Sequence, residues 1–139
     1  QRLIDAEKVF LKSTRFSTMI IRFGGLVGKS RNPIFYWSGK KQQEGGSHPI
    51  NLIHLDDCVN ISMLAIKYHQ KNVLNAVADE HPTKALFYSE MAKVYDLKAP
   101  EFINKSKPDS YSYKLVSNQK LKQTFNYSFI FPNPLLFKD

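Results

Sequence analysis

A chain of 139 residues that is 42% hydrophobic and 23% charged has the composition of one folded domain, which excludes a wholly disordered protein. It holds nothing near the roughly 20 consecutive apolar residues of a membrane helix and opens without the apolar run of a signal peptide, so a cytoplasmic location with no membrane partner is expected. The net charge of +8 does not point to nucleic acid, because the basic residues are scattered and no run of adjacent ones exceeds Lys40-Lys41.

The chain is already in an apolar-periodic segment at Leu3, as a chain cut from a longer one would be. Residues 1–12 read as an amphipathic helix with Leu3, Ala6 and Phe10 on one stripe, flanked by Ile4 and Leu11, which should pack on a sheet. Residues 18–23 form a short, largely apolar run of the kind covered on both faces in a parallel sheet. The glycines of residues 24–28 should stop that strand and lead into loop through Pro33, with residues 34–37 too short to assign.

Residues 42–49 are rich in turn formers, and residues 50–54 alternate apolar with polar like a half-buried strand. Asp56 is placed to cap the next helix and Asp57 to favour its positive end, with the helix running to about His69 and lying between two layers. Cys58, the single cysteine, has no partner for a disulfide or a metal and reads as a buried bystander. Residues 72–77 read as a further buried strand.

Pro82 suits the first turn of a helix over residues 83–96 with Leu86, Phe87, Met91 and Val94 inward, and Pro100 prevents its extension. Beyond it come a polar loop at residues 105–112, a candidate strand at 113–116, and Ser117 or Asn118 as cap of a short helix to Thr124. A last strand at 127–131 precedes Pro132 and Pro134. Helices and strands alternating with short connections, interrupted at residues 24–54, make an α/β sheet.

Arg22-Phe-Gly-Gly-Leu-Val-Gly28, Asn51-Leu-Ile-His-Leu-Asp-Asp57, His81-Pro-Thr-Lys84 and Lys114-Leu-Val-Ser-Asn118, taken in that order, resemble the C-terminal half of extended and atypical short-chain dehydrogenase/reductases of the NAD-dependent epimerase/dehydratase type. The resemblance covers nearly the whole chain. It implies the C-terminal part of a Rossmann-type parallel sheet with flanking helices, over residues 1–27 and 55–80, plus a small α+β substrate-binding lobe over residues 28–54 and 81–139. The missing partner is then an N-terminal dinucleotide-binding half, and the cofactor of the intact protein is NAD or NADP.

Under that resemblance the loop after residues 18–23 passes the nicotinamide. Ligands in open α/β sheets sit at strand carboxyl ends, and glycine lets backbone approach a flat ring, so Phe23, Gly24, Gly25 and Leu26 are the cofactor-side candidates. Arg31 and Lys40 are candidates for holding a phosphate or carboxylate of a small-molecule substrate of nucleotide-sugar type. Asn51 and His54 are candidates for lining the same pocket, with a satisfied structural histidine the competing reading of His54. Asp56 and Asp57 lie side by side at a helix start, poor geometry for an acid/base pair.

The Gly-rich phosphate turn of such proteins is absent, so negligible cofactor affinity is expected of residues 1–139 alone. The Tyr-x-x-x-Lys motif would put its Lys four positions before a Glu that resembles Glu7, and Leu3 stands there. No catalytic residue and no metal ligand is therefore assigned within the chain, and a non-catalytic dinucleotide-sensing protein of the same fold is the alternative. Half a sheet would leave an edge and apolar helix faces, which either pair with a second copy in a homo-oligomer or were covered by the remainder of the protein before it was lost.

Overall fold

The computed structural model describes residues 2–28, 30–68, 70–103 and 113–137. Helix α1 (Arg2–Lys12) leads into strand β1 (Met19–Phe23), which pairs in parallel with β4 (Asn72–Ala76) in the register Met19 to Asn72 through Phe23 to Ala76. Strand β2 (Gly25–Val27) pairs in parallel with β3 (Leu52–His54), Gly25 opposite Leu52 and Val27 opposite His54. The two pairs are separate two-stranded sheets, and α3 (Leu55–Lys67) connects β3 of one to β4 of the other. Helices α2 (Ile34–Trp37), α4 (Lys84–Val94) and α5 (Gln119–Phe125) and a 3-10 turn at Pro134–Leu136 complete the described elements. The expected α/β class, with parallel strands and flanking helices, is what the chain adopts.

Two larger apolar clusters hold these elements. Cys58 and Ile61 of α3 pack with Ile53, Leu74 and Ala76 of the strands, and Leu121 and Phe129 close that cluster. Phe87, Tyr88, Met91 and Ala92 of α4 pack on Ile34 and Ile50, beside a stack in which Trp37 lies 5.1 Å from Tyr88 and 6.2 Å from Phe102 between ring centroids. Full burial of each large side chain contributes roughly 1.5–3 kcal/mol. Leu52 reaches the α4 cluster and a smaller one of Val27, Ala78 and Phe137, so β3 joins the two halves of the structure.

Several expectations are corrected. The glycine run does not end as loop, because residues 25–27 find a new strand partner and continue extended. The cap of α3 is His54, whose Nδ1 accepts from Asp56 N at 3.3 Å, while the Asp56 side chain stays exposed. Helix α3 is covered on one side only: Val59, Met63 and Ile66 are 53–68% exposed. None of α1 is buried either, and polar tethers hold it: Glu7 to Arg22, Thr18 Oγ1 to Phe10 O, and Lys71 Nζ to the carbonyls of Leu11 and Ser13.

Thr83 rather than Pro82 starts α4, its Oγ1 accepting from Leu86 N at 3.3 Å, and the inward set is Phe87, Tyr88, Met91 and Ala92, with Leu86 and Val94 exposed. Residues 113–116 and 127–131 are not strands, since side chains bind the backbone groups that a ladder would use. The expected loop at 105–112 and the helix end at His69 lie outside the described residues. Ser117 does serve the start of α5, accepting from Gln119 N at 3.3 Å.

Candidate functional site

At Gly24 the chain changes partners. Gly24 N donates to Ala76 O at 2.9 Å, the last rung shared with β4, and Gly25 N donates to Asn51 O at 2.8 Å, the first shared with the β3 side. The exchange brings backbones closer than a side chain allows: a Cβ on Gly24 would lie 2.7 Å from Asn51 O and 2.8 Å from Val77 Cγ1. A Cβ on Gly25 would lie 2.7 Å from Leu52 Cδ2. Gly24, which meets backbone, is thus demanded by the strand exchange, while at Gly25 the clash is with a side-chain end that can move.

On either side of them Phe23 is 38% and Leu26 43% exposed. The carboxyl end of β1 therefore presents apolar side chains on either side of a backbone stretch without side chains. Open α/β sheets bind ligands where strand order breaks at the carboxyl ends.

Asn51 borders the same edge through its backbone, and its side chain is committed elsewhere. Its Oδ1 accepts from Val116 N at 2.9 Å and its Nδ2 donates to Lys114 O at 2.8 Å. Arg31 and His54 lie at the other end of β2. Gly28, at φ +153 where a Cβ would meet Leu55 Cβ at 2.7 Å, exchanges backbone hydrogen bonds with Arg31 at 3.1 and 3.0 Å, so Arg31 rides an exposed tight turn.

His54, 6% exposed, is used internally: it caps α3, and its ring lies 3.8 Å from Phe131 and 5.4 Å from Phe137. Lys40 belongs to a third neighbourhood, with Nζ 3.1 Å from the Tyr36 ring centroid in a cation–π contact and its backbone bonded to Glu101 N. The structure thus brings Phe23, Gly24, Gly25, Leu26 and Asn51 together and separates the remaining candidates.

On α1, Leu3 is 82% exposed. Glu7 accepts from Arg22 of β1 at 2.9 and 2.5 Å, which ties the helix to the strand that carries the edge. That hydrogen bond holds the Glu7 carboxyl below its ordinary range and raises the Arg22 guanidinium. Burial, with the Asp57 charge second, pushes the Cys58 thiol up to about 11, so it is no nucleophile at neutral pH. Among the described residues no group of three His, Cys, Asp or Glu could hold a metal ion, and no helix is long and apolar enough to cross a membrane.

The residue that sequence reasoning undervalued is Asp57. Fully buried, it accepts from Tyr127 OH at 2.7 Å, Ile130 N at 2.8 Å and Phe131 N at 3.0 Å. Burial and that hydrogen bond to Asp57 raise the Tyr127 phenol well above its ordinary range. The Asp56-Asp57 pair was the available signal, but helix capping accounts for such a pair equally well.

No protein-family model matches the chain. It is 31% identical over 121 residues to Protein YeeZ of Escherichia coli (strain K12), which spans 86% of this chain and 43% of that protein. The chain thus covers less than half the length of the curated relatives it matches. Among solved structures it is similar to a functionally unknown conserved protein from Silicibacter pomeroyi (TM-score 0.79, 18% identity, 96% of this chain and 51% of that one).

It is also similar to human epimerase family protein SDR39U1, solved with NADPH (TM-score 0.66, 19% identity, 87% and 46%). A third is UDP-glucuronic acid 4-epimerase from Bacillus cereus, solved with UDP-glucuronic acid and NAD (TM-score 0.72, 18% identity, 96% and 46%). The chain has the fold of about half of such an epimerase-type short-chain dehydrogenase/reductase, and the resemblance to its C-terminal half stands at the level of fold.

Proposed function

We propose that this chain is the C-terminal half of a cytoplasmic, NAD- or NADP-dependent oxidoreductase of the epimerase/dehydratase type, acting on a small molecule of nucleotide-sugar class. Residues 1–27 and 55–80 complete the cofactor-side sheet, and residues 28–54 and 81–139 form the substrate lobe. The observation that supports the reading is the partner exchange at Gly24, where Phe23 and Leu26 flank a side-chain-free backbone at the carboxyl end of β1. Phe23, Gly24, Gly25 and Leu26 fit the face of a nicotinamide ring, which when bound gives or takes a hydride.

For the substrate lobe, Arg31 on its exposed turn suits an anionic group, and Lys40 beside Tyr36 suits a phosphate near an aromatic face. Asn51 and His54 serve this lobe through what they hold in place rather than by direct contact. The activity needs the N-terminal half, since the chain has no Gly-rich phosphate turn, and residues 1–139 alone are inactive. Isothermal titration of NADH and NADPH into the full-length protein tests the proposal: one of the two binds, and failure of both sinks it.

A second reading, a dinucleotide-sensing protein without catalysis, is favoured by Leu3, an exposed apolar residue where the resemblance calls for a lysine. Leucine neither lowers a tyrosine pKa nor bonds a ribose. Hydride transfer from NADPH to any member of a broad carbonyl panel decides against this alternative.

A further inference from the structure

Residues 114–118 belong to no strand or helix, and asparagine side chains rather than a ladder hold them. Asn51 takes Lys114 O at 2.8 Å and Val116 N at 2.9 Å, and Asn75 Nδ2 reaches Ser117 O at 3.4 Å. Asn118 ends the stretch by donating to Val77 O at 2.9 Å and to Asp79 Oδ1 at 2.8 Å. Leu115 is 66% exposed, so little apolar burial adds to these bonds, and a segment with few buried contacts opens locally at low cost.

Two of these anchors, Asn51 and Val77, have a second role. Asn51 O and Val77 Cγ1 are the atoms that leave no room for a side chain at Gly24, and Asn51 O accepts from Gly25 N. Two of the four residues that hold the segment, Asn51 and Val77, therefore also wall the glycine edge.

We propose that residues 114–118 are a strap that closes beside the Phe23–Leu26 edge, with Asn51 the positioning residue through which strap and edge are coupled. This rests on the reading of that edge as the nicotinamide side. A ligand seated against Gly24 and Gly25 fixes the Asn51 backbone, favours the closed strap, and shifts a local opening equilibrium toward it. Asn51 touches no reacting atom in this scheme. It sets how long the strap stays shut.

Amide exchange in peptides spanning residues 113–118 of the full-length protein, with and without saturating NADH or NADPH, reads the coupling. Bound dinucleotide should slow exchange there by about five- to tenfold, the size of one hydrogen bond gained. Asn51→Ala should speed ligand-free exchange by a similar factor and abolish the slowing. Asn51→Asp keeps the acceptor for Val116 N and should restore part of it, whereas Asn75→Ala, which removes the longest of the anchors, should leave the slowing in place. Circular dichroism of each variant confirms that it is folded. Titration that shows a dinucleotide bound while exchange at 113–118 is unchanged, or slowing that persists in Asn51→Ala, overturns the strap and leaves the functional reading standing. Failure of both dinucleotides to bind overturns both.

Discussion

The Tyr127 hydroxyl donates to Asp57 Oδ1 at 2.7 Å across 70 positions of sequence, and the Ile130 amide donates to the same oxygen at 2.8 Å. With Phe131 N on Oδ2, one buried carboxylate at the start of α3 satisfies three donors of the C-terminal segment. Asp57→Ala strips all three at once. The donors are partly buried, so each left unpaired costs toward the lower end of about 1–3 kcal/mol, and the variant should lose about 3 kcal/mol, whereas Tyr127→Phe, which removes a single bond, should lose roughly 1.5 kcal/mol. Urea midpoints at constant m-value check the order, and equal losses for the two variants would mean that the backbone donors find other partners.

The glycines separate steric from conformational demands. At Gly24 an added methyl meets the carbonyl of Asn51, which is backbone and cannot step aside, so Gly24→Ala should cost roughly 1–3 kcal/mol. At Gly25 it meets Leu52 Cδ2, the end of a flexible side chain, and the cost should be smaller. Gly39 has open space around it but φ +68, so Gly39→Ala reports backbone strain alone, roughly 1–2 kcal/mol. Denaturant unfolding of the three variants should rank Gly24→Ala as the most damaging.

What could be read in the sequence was local in origin. Residues 19–23 are mostly apolar with β-branched Ile20 and Ile21 in the middle, and β1 forms where it was expected, but it is not covered on both faces, since Arg22 and Phe23 are exposed. The glycines after it were read as a stop because whether a strand ends or changes partner depends on Asn51, distant in sequence. Residues 127–131 alternate like a strand, yet their donors go to Asp57, and only the folded chain reveals that choice. The close backbone approach at Gly24 was legible, because a glycine there leaves a mark in the sequence. The internal role of Asn51 was not legible, since its partners Lys114 and Val116 are distant in sequence, whereas the structural reading of His54 is the one the fold adopts.

Cys58 should be chemically silent in the folded protein. With its thiol near 11, only on the order of one molecule in a thousand is thiolate at pH 8, and the side chain is buried besides. Labelling by a thiol reagent should therefore be slow in buffer and become rapid through the urea transition, following the unfolded population. Stoichiometric labelling within seconds under native conditions would show that α3 opens independently of the core.

Two tyrosines contribute to the loss of stability at alkaline pH. Burial pushes Tyr88 up to about 12, and burial first, then the bond to Asp57, raises Tyr127 as well, so both stay protonated in the fold after the unfolded chain has begun to ionise at about 10. Below about pH 10 both states hold the proton and the contribution is present in full. As pH climbs, the unfolded state binds fewer protons than the folded one, and stability falls until the folded phenols themselves titrate. Phenylalanine does not titrate, so Tyr88→Phe and Tyr127→Phe should each decline less steeply than the parent between about pH 10 and 12. Lysine ionisation affects parent and variant alike and drops out of the difference. Tyr127→Phe should start lower at neutral pH because the bond to Asp57 is gone, and its unfolding free energy should converge with the parent's as pH rises. Parallel curves across that range would show that Tyr127 ionises at an ordinary pH in the fold and that Asp57 does not hold its proton.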